Sequence, residues 1–165
     1  MAHEQVKSRD GFELVAENRK ARFDYTILES YKAGLVLTGN EVKSLRQGKA
    51  NLQDSFARAE KGELWIYNMH VSPYSTADQN KVDPLRRRKV LLEKRELMKL
   101  TAKAAEKGLT VVPLKVYFDC NWAKVDLGLA KAKKKYEKRD KLRRKSAERE
   151  IERAFKGKND HKNKF

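Results

Sequence analysis

The segment Asn18-Arg19-Lys20-Ala21-Arg22-Phe23-Asp24-Tyr25 puts three cations within four residues, just ahead of aromatic side chains. Cations supply what phosphate oxygens require, and flat rings or amide groups supply what unpaired bases require. A plainer reading is a solvated loop that leads into a core strand where Phe23 and Tyr25 pack. A second basic run, Pro84-Leu85-Arg86-Arg87-Arg88-Lys89, precedes the apolar Val90-Leu91-Leu92. Taken alone it reads equally as a solvated face or a phosphate patch. Trp122 and Lys124 fall on the polar face of a predicted strand, pairing a stacking surface with a charge, although a Trp covering a barrel end fits as well.

Catalytic chemistry has no comparable signal. The chain contains no GxSxG, phosphate-binding P-loop, GxGxxG or HExxH pattern, and carboxylates such as Asp54, Asp78 and Asp83 are scattered. His70 alternates with Leu64, Ile66 and Asn68, the pattern of a packed or strand-edge histidine. His3, His70, His161 and Cys120 lack the spacing of metal ligands. Catalytic groups assemble in space rather than along the chain, so this means only that no motif proposes a site. The expectation is a protein without catalytic residues, metal or cofactor.

The elements that must position these clusters read mainly as strands. Phe23, Tyr25 and Ile27 alternate with Asp24, Thr26 and Leu28, and Leu35 and Leu37 follow Gly34. Stretches 51–59 and 64–71 flank Glu60-Lys61-Gly62-Glu63, a hairpin connection containing Gly. In the second stretch Trp65, Tyr67, Met69 and Val71 are expected to share a face. Val112, Leu114, Val116 and Phe118 alternate with more polar neighbours. After a turn at Asp119-Cys120-Asn121, so do Ala123, Val125, Leu127 and Leu129. Two helices are predicted. One covers 41–46, with Val42 and Leu45 inward. The other covers 93–107, with Leu97, Leu100, Ala104 and Ala105 on one side and Gly108 after its end. Asp83-Pro84 marks a break and 72–82 a polar loop. The fold class is mainly β: a small antiparallel, closed or nearly closed barrel with flanking helices.

Charge divides the chain. Its 165 residues carry 39 Lys plus Arg against 23 Asp plus Glu, a net +16. Of these, 16 basic and 6 acidic side chains lie in 131–165, where only Leu142, Ile151, Phe155 and Phe165 come from the Leu/Ile/Val/Phe set. That apolar content is too small to offset the cost of ordering the backbone, roughly 1–2 kcal/mol per residue. The reading is a flexible N-terminus (1–12), a folded domain (13–130) and a basic tail (131–165) that is disordered when free. Within the tail, Ala147, Ile151 and Phe155 recur at helical spacing, with Ala154 beside them and Ser146 as an N-cap. A latent amphipathic helix of this length is marginal alone and is expected to form when phosphates neutralise its charge or a surface accepts its apolar stripe. No apolar run approaches the roughly 18 residues of a membrane span, and the first residues lack a secretory pattern. A single cysteine suits a reducing compartment. Composition alone therefore suggests a soluble, cytoplasmic, RNA-binding protein with no membrane association.

Several stretches together carry a resemblance to a known family. They are Asn18-Arg19-Lys20-Ala21-Arg22 with Tyr25, and Ala33-Gly34-Leu35-Val36-Leu37 leading into Gly39-Asn40-Glu41-Val42-Lys43-Ser44-Leu45-Arg46. Next come Gly48-Lys49-Ala50-Asn51, Asp83-Pro84 with Arg86, Arg88 and Lys89, and Arg95-Glu96-Leu97. The last is Gly128-Leu129-Ala130-Lys131, running into Lys133-Lys134 and Lys138-Arg139. In order and spacing the chain resembles the SsrA-binding protein (small protein B, SmpB) family of bacterial trans-translation.

The resemblance implies an oligonucleotide-binding-like barrel that holds the tRNA-like domain of transfer-messenger RNA (tmRNA) and delivers it to the A site of a stalled ribosome. It implies a basic tail that becomes helical in the empty mRNA channel, so that the nascent chain is tagged and the ribosome rescued. Elongation factor Tu and alanyl-tRNA synthetase would act on the same RNA, and the free protein would be a monomer. On the barrel, the residues implied to bind RNA are Asn18, Arg19, Lys20, Arg22, Tyr25, Glu41, Lys43, Arg46, Arg86, Arg88, Leu91, Trp122 and Lys124. Glu41 is an unusual RNA ligand whose alternative role is to bond Lys or Arg neighbours and fix its short helix. Leu91 has the alternative of supporting its surroundings. For the decoding centre and mRNA channel the residues are Lys131, Lys133, Lys134, Tyr136, Lys138 and Arg139. This chain has Lys32 where the family often has an acidic residue, Ala132 in place of a Gly before Lys133-Lys134, and Tyr136 where His is frequent. Rival readings are a structural ribosomal protein, resident on every ribosome, and an RNA-processing enzyme.

Overall fold

The computed structural model describes residues 12–74, 83–106 and 108–134. In the C-terminal segment it also describes Arg139, Arg143, Arg144, Ser146, Ala147, Arg149 and Ile151. The chain forms two compact units, with the boundary between Ala132 and Lys133.

The first unit runs β1 (Phe12–Glu17), α1 (Arg19–Asp24), β2 (Tyr25–Leu35), α2 (Gly39–Arg46), β3 (Ala50–Asn51) and β4 (Phe56–Glu60). It continues with β5 (Glu63–Tyr67), β6 (His70–Val71), β7 (Arg88–Leu91), α3 (Lys94–Ala104), β8 (Leu109–Asp119) and β9 (Trp122–Ala132). Seven strands form one antiparallel sheet in the order β1-β8-β4-β5-β7-β2-β9, and β9 pairs back onto β8. That last pairing closes a ring of six strands, β8-β4-β5-β7-β2-β9, whose edges are paired within the molecule, with β1 joined to β8 beside it. The expected mainly β, oligonucleotide-binding-like barrel is the fold observed.

Apolar residues recur at alternate positions over part of each long strand, but the single face expected for β8 is divided: a bulge at Leu114 turns Val112 and Leu114 onto a second cluster with Ala21 and Ala130, apart from Val116 and Phe118. In β9, Val125, Leu127 and Leu129 are buried while Trp122 and Lys131 are exposed. Leu35, Leu64, Ile66, Val90, Val111 and Val116 meet them across the interior. A Cβ on Gly128 would lie 3.0 Å from Leu114 Cδ1 and 3.2 Å from Ile27 Cγ2, so only hydrogen fits where these strands press together. Both hairpin turns use paired left-handed residues: Lys61 and Gly62 between β4 and β5, Cys120 and Asn121 between β8 and β9. That geometry matches the twist of two-residue hairpins. The helix α3 lays Leu97, Leu100 and Ala104 on the core. It is tied to β2 by Lys103 and Lys99 on Glu29, a carboxylate that also accepts from the Tyr31 hydroxyl at 2.6 Å.

Five further local expectations are corrected. Phe23 lies in α1 rather than a strand, because Asn18 caps a helical turn before β2 begins. The stretch 51–59 is split at Asp54, whose φ of 59° turns the chain. The stretch 64–71 is split at Asn68 (φ 56°), which inverts the alternation. Leu64 and Ile66 face inward before the break and Met69 and Val71 after it, while Trp65 and Tyr67 face out. The basic run contains a strand, β7, rather than only a solvated face. Ala105 is exposed because α3 ends at Ala104.

In the second unit the described residues 139, 143, 144, 146, 147, 149 and 151 all have helical backbone and are exposed. Ser146 is itself helical, with helical residues before it, so it is not the N-cap expected there. Phe155, Ala154 and most of the loop 72–82 lie outside the described residues.

Candidate nucleic-acid interface

The cluster at 18–25 is built on Asn18, which is buried. Its Oδ1 accepts from the Ala21 amide at 3.0 Å, capping α1. Its Nδ2 donates to the carbonyls of Leu52 (2.8 Å) and Pro113 (3.2 Å), and its backbone amide donates to Leu114. One amide side chain thus fixes the start of α1 to two distant segments. The cations then radiate outward: the Arg19 side chain is 91% exposed, Lys20 pairs with Asp54 at 3.0 Å, and Arg22 is exposed. The Asp54 hydrogen bond and charge raise the Lys20 pKa, so this cation stays charged. Tyr25, half-buried, opens β2 directly opposite Ala132 of β9, and Lys131 sits opposite Thr26. The helix, Tyr25 and Lys131 therefore occupy one end of the β2–β9 pair.

The other predicted residues gather at the opposite end around α2. Glu41 is buried and accepts from the Thr38 amide (2.8 Å), from Arg86 (Nη2 2.5 Å, Nε 3.2 Å) and from Arg88 Nε (2.9 Å). Arg88 has no exposed surface; it also donates to the carbonyls of Met69, Arg86 and Pro84. Burial pushes the Glu41 carboxyl up, but Arg86, the Thr38 amide and Arg88 outweigh it and hold it below its ordinary value. Burial draws Arg88 down, opposed by the charge and hydrogen bond of Glu41. Asn18, Glu41 and Arg88, implied as RNA contacts, are thus internal struts that offer RNA little or no surface. The alternative role for Glu41, fixing its helix through cationic neighbours, is the one its geometry supports.

What this end does present is Lys43, Arg46, Arg86, Leu91, Trp122 and Lys124. Lys43 lies over the Tyr74 ring at 5.4 Å. Arg46 lies over Phe118 at 5.5 Å and donates to Asn121 at 3.4 Å, joining α2 to the β8–β9 turn. Trp122 is 75% exposed and Leu91 53%. Lys124 pairs with Asp119, whose carboxyl that hydrogen bond lowers. Gly34 stands between Lys124 and Leu91 in the sheet, and a Cβ there would sit 3.4 Å from Leu91 Cβ. Tyr117, opposite Lys124, is pushed up to about 12 by burial, Asp126 adding to it, and stays neutral.

Lys131 lies in the last two residues of β9, while Lys133 and Lys134 begin the second unit; Arg139 is helical and exposed there. Tyr136 and Lys138 lie outside the described residues. Among the described residues, no three or more His, Cys, Asp or Glu side chains gather as a metal site, and no helix is long and apolar enough to cross a membrane. The sequence reading missed Trp65 and Arg87, where the guanidinium lies 4.7 Å over the indole ring. The signal was the extra cation in the run 86–89.

A protein-family model described as "SmpB protein" matches residues 15–157. The chain belongs to the SmpB family. SsrA-binding proteins of Carboxydothermus hydrogenoformans (58% identical over 142 residues) and Desulforudis audaxviator (57% over 151) are among its relatives. The first alignment covers 86% of this chain and 95% of the relative, the second 92% and 99%. A solved chain described as "tmRNA-SmpB: a journey to the center of the bacterial ribosome" superposes with a TM-score of 0.62 at 55% identity. The match covers 73% of this chain and 85% of that one. The span matched by the SmpB model includes both clusters: the cation-rich helix at one end of β2–β9 and the surface of Trp122, Lys124 and Leu91 at the other.

Proposed function

We propose that this chain is the RNA-binding protein of trans-translation. It binds the tRNA-like domain of tmRNA through its barrel and delivers that RNA to the A site of stalled ribosomes. The observation that carries the reading is the exposed surface of Trp122, Lys124 and Leu91 at one end of a closed barrel whose other end bears Arg19, Lys20 and Arg22. A folded RNA is recognised by shape, stacking and phosphate contacts, and this surface offers all three. SsrA-binding relatives and the ribosome-associated solved chain support the same assignment.

The segment 131–165 then probes the empty mRNA channel, with Lys131, Lys133, Lys134, Tyr136, Lys138 and Arg139 against ribosomal RNA. Its charge suits a channel lined with phosphate, and a message in the groove would exclude it. Elongation factor Tu and alanyl-tRNA synthetase act on the same RNA, while this protein, a cytoplasmic monomer when free, performs no chemistry of its own.

The test is binding to tmRNA against ordinary tRNA of similar length across a salt titration. Preference for tmRNA that survives roughly 0.2 M salt supports the assignment, since purely electrostatic binding fades there. Equal, steeply salt-sensitive binding to both would return the chain to the ribosomal-protein reading.

A further inference from the structure

The outward face of β4 and β5, with Lys89 of β7 beside it, has no part in the function proposed above. Trp65 stands in β5 between Arg58 of β4 and Lys89 of β7, in register with both. The Arg87 guanidinium covers its ring at 4.7 Å, and next to it Phe56 and Tyr67 stack at 5.4 Å with 14° between their planes. The barrel interior does not call for these rings outside, because Leu64 and Ile66 of the same strand already fill it.

The face is continuous with the Lys124 end. Leu91 follows Lys89 by two residues on β7 and neighbours Gly34, which neighbours Lys124. The exposed Val36 donates its amide to the Lys89 carbonyl at 3.0 Å, bridging the two rows. The carboxylates present sit on ion pairs, Arg87 with Glu60 at 3.3 Å and Lys89 with Glu63, whose side chains are all at least a third exposed. Exposed pairs of this kind are weak, so a phosphate can take over either cation at little cost.

We propose that Trp65 and Arg87 form an additional stacking site for an unpaired base of the same tRNA-like RNA, with Lys89 or Arg58 on the adjoining phosphate. The proposal rests on the tmRNA reading above and extends its footprint from β9 across β7 to β5. RNA is favoured over a protein partner because an aromatic ring framed by three cations, Arg58, Arg87 and Lys89, matches a base with its phosphate.

The chain has two tryptophans. In full-length protein, the difference in emission between wild type and Trp65→Phe therefore isolates the Trp65 indole and reports on this face with Trp122 left in place. Titration with a transcript of the tRNA-like domain is expected to quench it along the binding curve. Trp65→Leu is expected to weaken affinity about tenfold, with Trp65→Phe restoring most of it. Arg87→Gln, at an exposed position, should weaken affinity about threefold and lower the salt slope.

If Trp65 fluorescence is unmoved at saturation and Arg87→Gln binds as wild type, the proposal is overturned, even should Trp65→Leu fail to fold. In that event a loss of affinity in Lys124→Ala would leave the tmRNA reading standing. Failure of the wild-type protein to prefer the transcript over ordinary tRNA would overturn both.

Discussion

Glu41 and Arg88, 47 positions apart, meet at 2.9 Å with almost no solvent access to either side chain. Such a pair adds little net stability over well-packed apolar residues, yet breaking it strands a buried charge. Its effect here is geometric: one carboxylate fastens α2 to the 84–88 segment and so sets where Arg46 and Arg86 emerge.

Glu41→Gln should therefore cost about 3–5 kcal/mol, the usual penalty for orphaning a buried partner. Arg88→Met should cost a similar amount. The double variant should lose clearly less than the sum, which urea unfolding of the four proteins would reveal through a double-mutant cycle. Additive losses would show that the two side chains do not act as a unit.

The same carboxyl gives the stability a pH dependence of definite sign. Its folded pKa is held below the ordinary value of 4.5, so its contribution is complete above that value. It fades as pH falls through the depressed folded pKa. Stability measured from pH 7 down to about 3 should fall below roughly pH 4.5, and Glu41→Gln should flatten that limb.

Asn18 and Lys20 are neighbours with opposite expected phenotypes. Asn18→Ala removes a helix cap and leaves buried carbonyls short of donors, a loss of about 2–3 kcal/mol seen in thermal melts. Lys20→Ala and Arg22→Ala should leave melting unchanged, reduce RNA affinity and lower the log–log salt slope by nearly one each. An unaltered slope would place these cations away from phosphate.

A Cβ on Gly128 would press into Leu114 and Ile27, so Gly128→Ala should destabilise the barrel by about 1–3 kcal/mol. Denaturant midpoints would report it, and Leu114→Val in the same chain should recover part of the loss.

A chain ending at Ala132 keeps the whole sheet and both groups of barrel cations. It should retain most of its affinity for the tRNA-like RNA while failing to support tagging in a reconstituted translation reaction. Loss of RNA binding in that chain would mean that the barrel is not the principal RNA-binding unit.

How far the sequence could be read depended on how local the cause was. The β8–β9 hairpin was plain, because apolar residues recur along both strands against a two-residue turn, but the bulge at Leu114 was not, and it turns Val112 and Leu114 away from the face of Val116 and Phe118. The β5–β6 region misled because a single left-handed residue, Asn68, reverses which residues face inward. The strand β7 was hidden because Arg88 reads as solvent-facing until Glu41 is brought to it. Exposed cations such as Arg19 and Arg22 were legible from composition. Glu41 was legible as a strut only as the alternative to RNA contact, and Asn18 and Arg88 not at all, since Leu52, Pro113 and Glu41 lie tens of residues away from them.

Within β9, Trp122 and Lys131 stand nine steps of extended chain apart, or roughly 30 Å. The strand carries no bulge of its own, whereas its neighbours absorb theirs near Leu28 and Leu114. The barrel is thus a calliper with fixed jaws. A partner engaging both ends must offer two anionic surfaces at that gap, a requirement met by a bulky folded RNA or by RNA on one jaw and ribosome on the other. Altering any single cation tunes the grip, but only a change in the length of β9 would alter what the calliper measures.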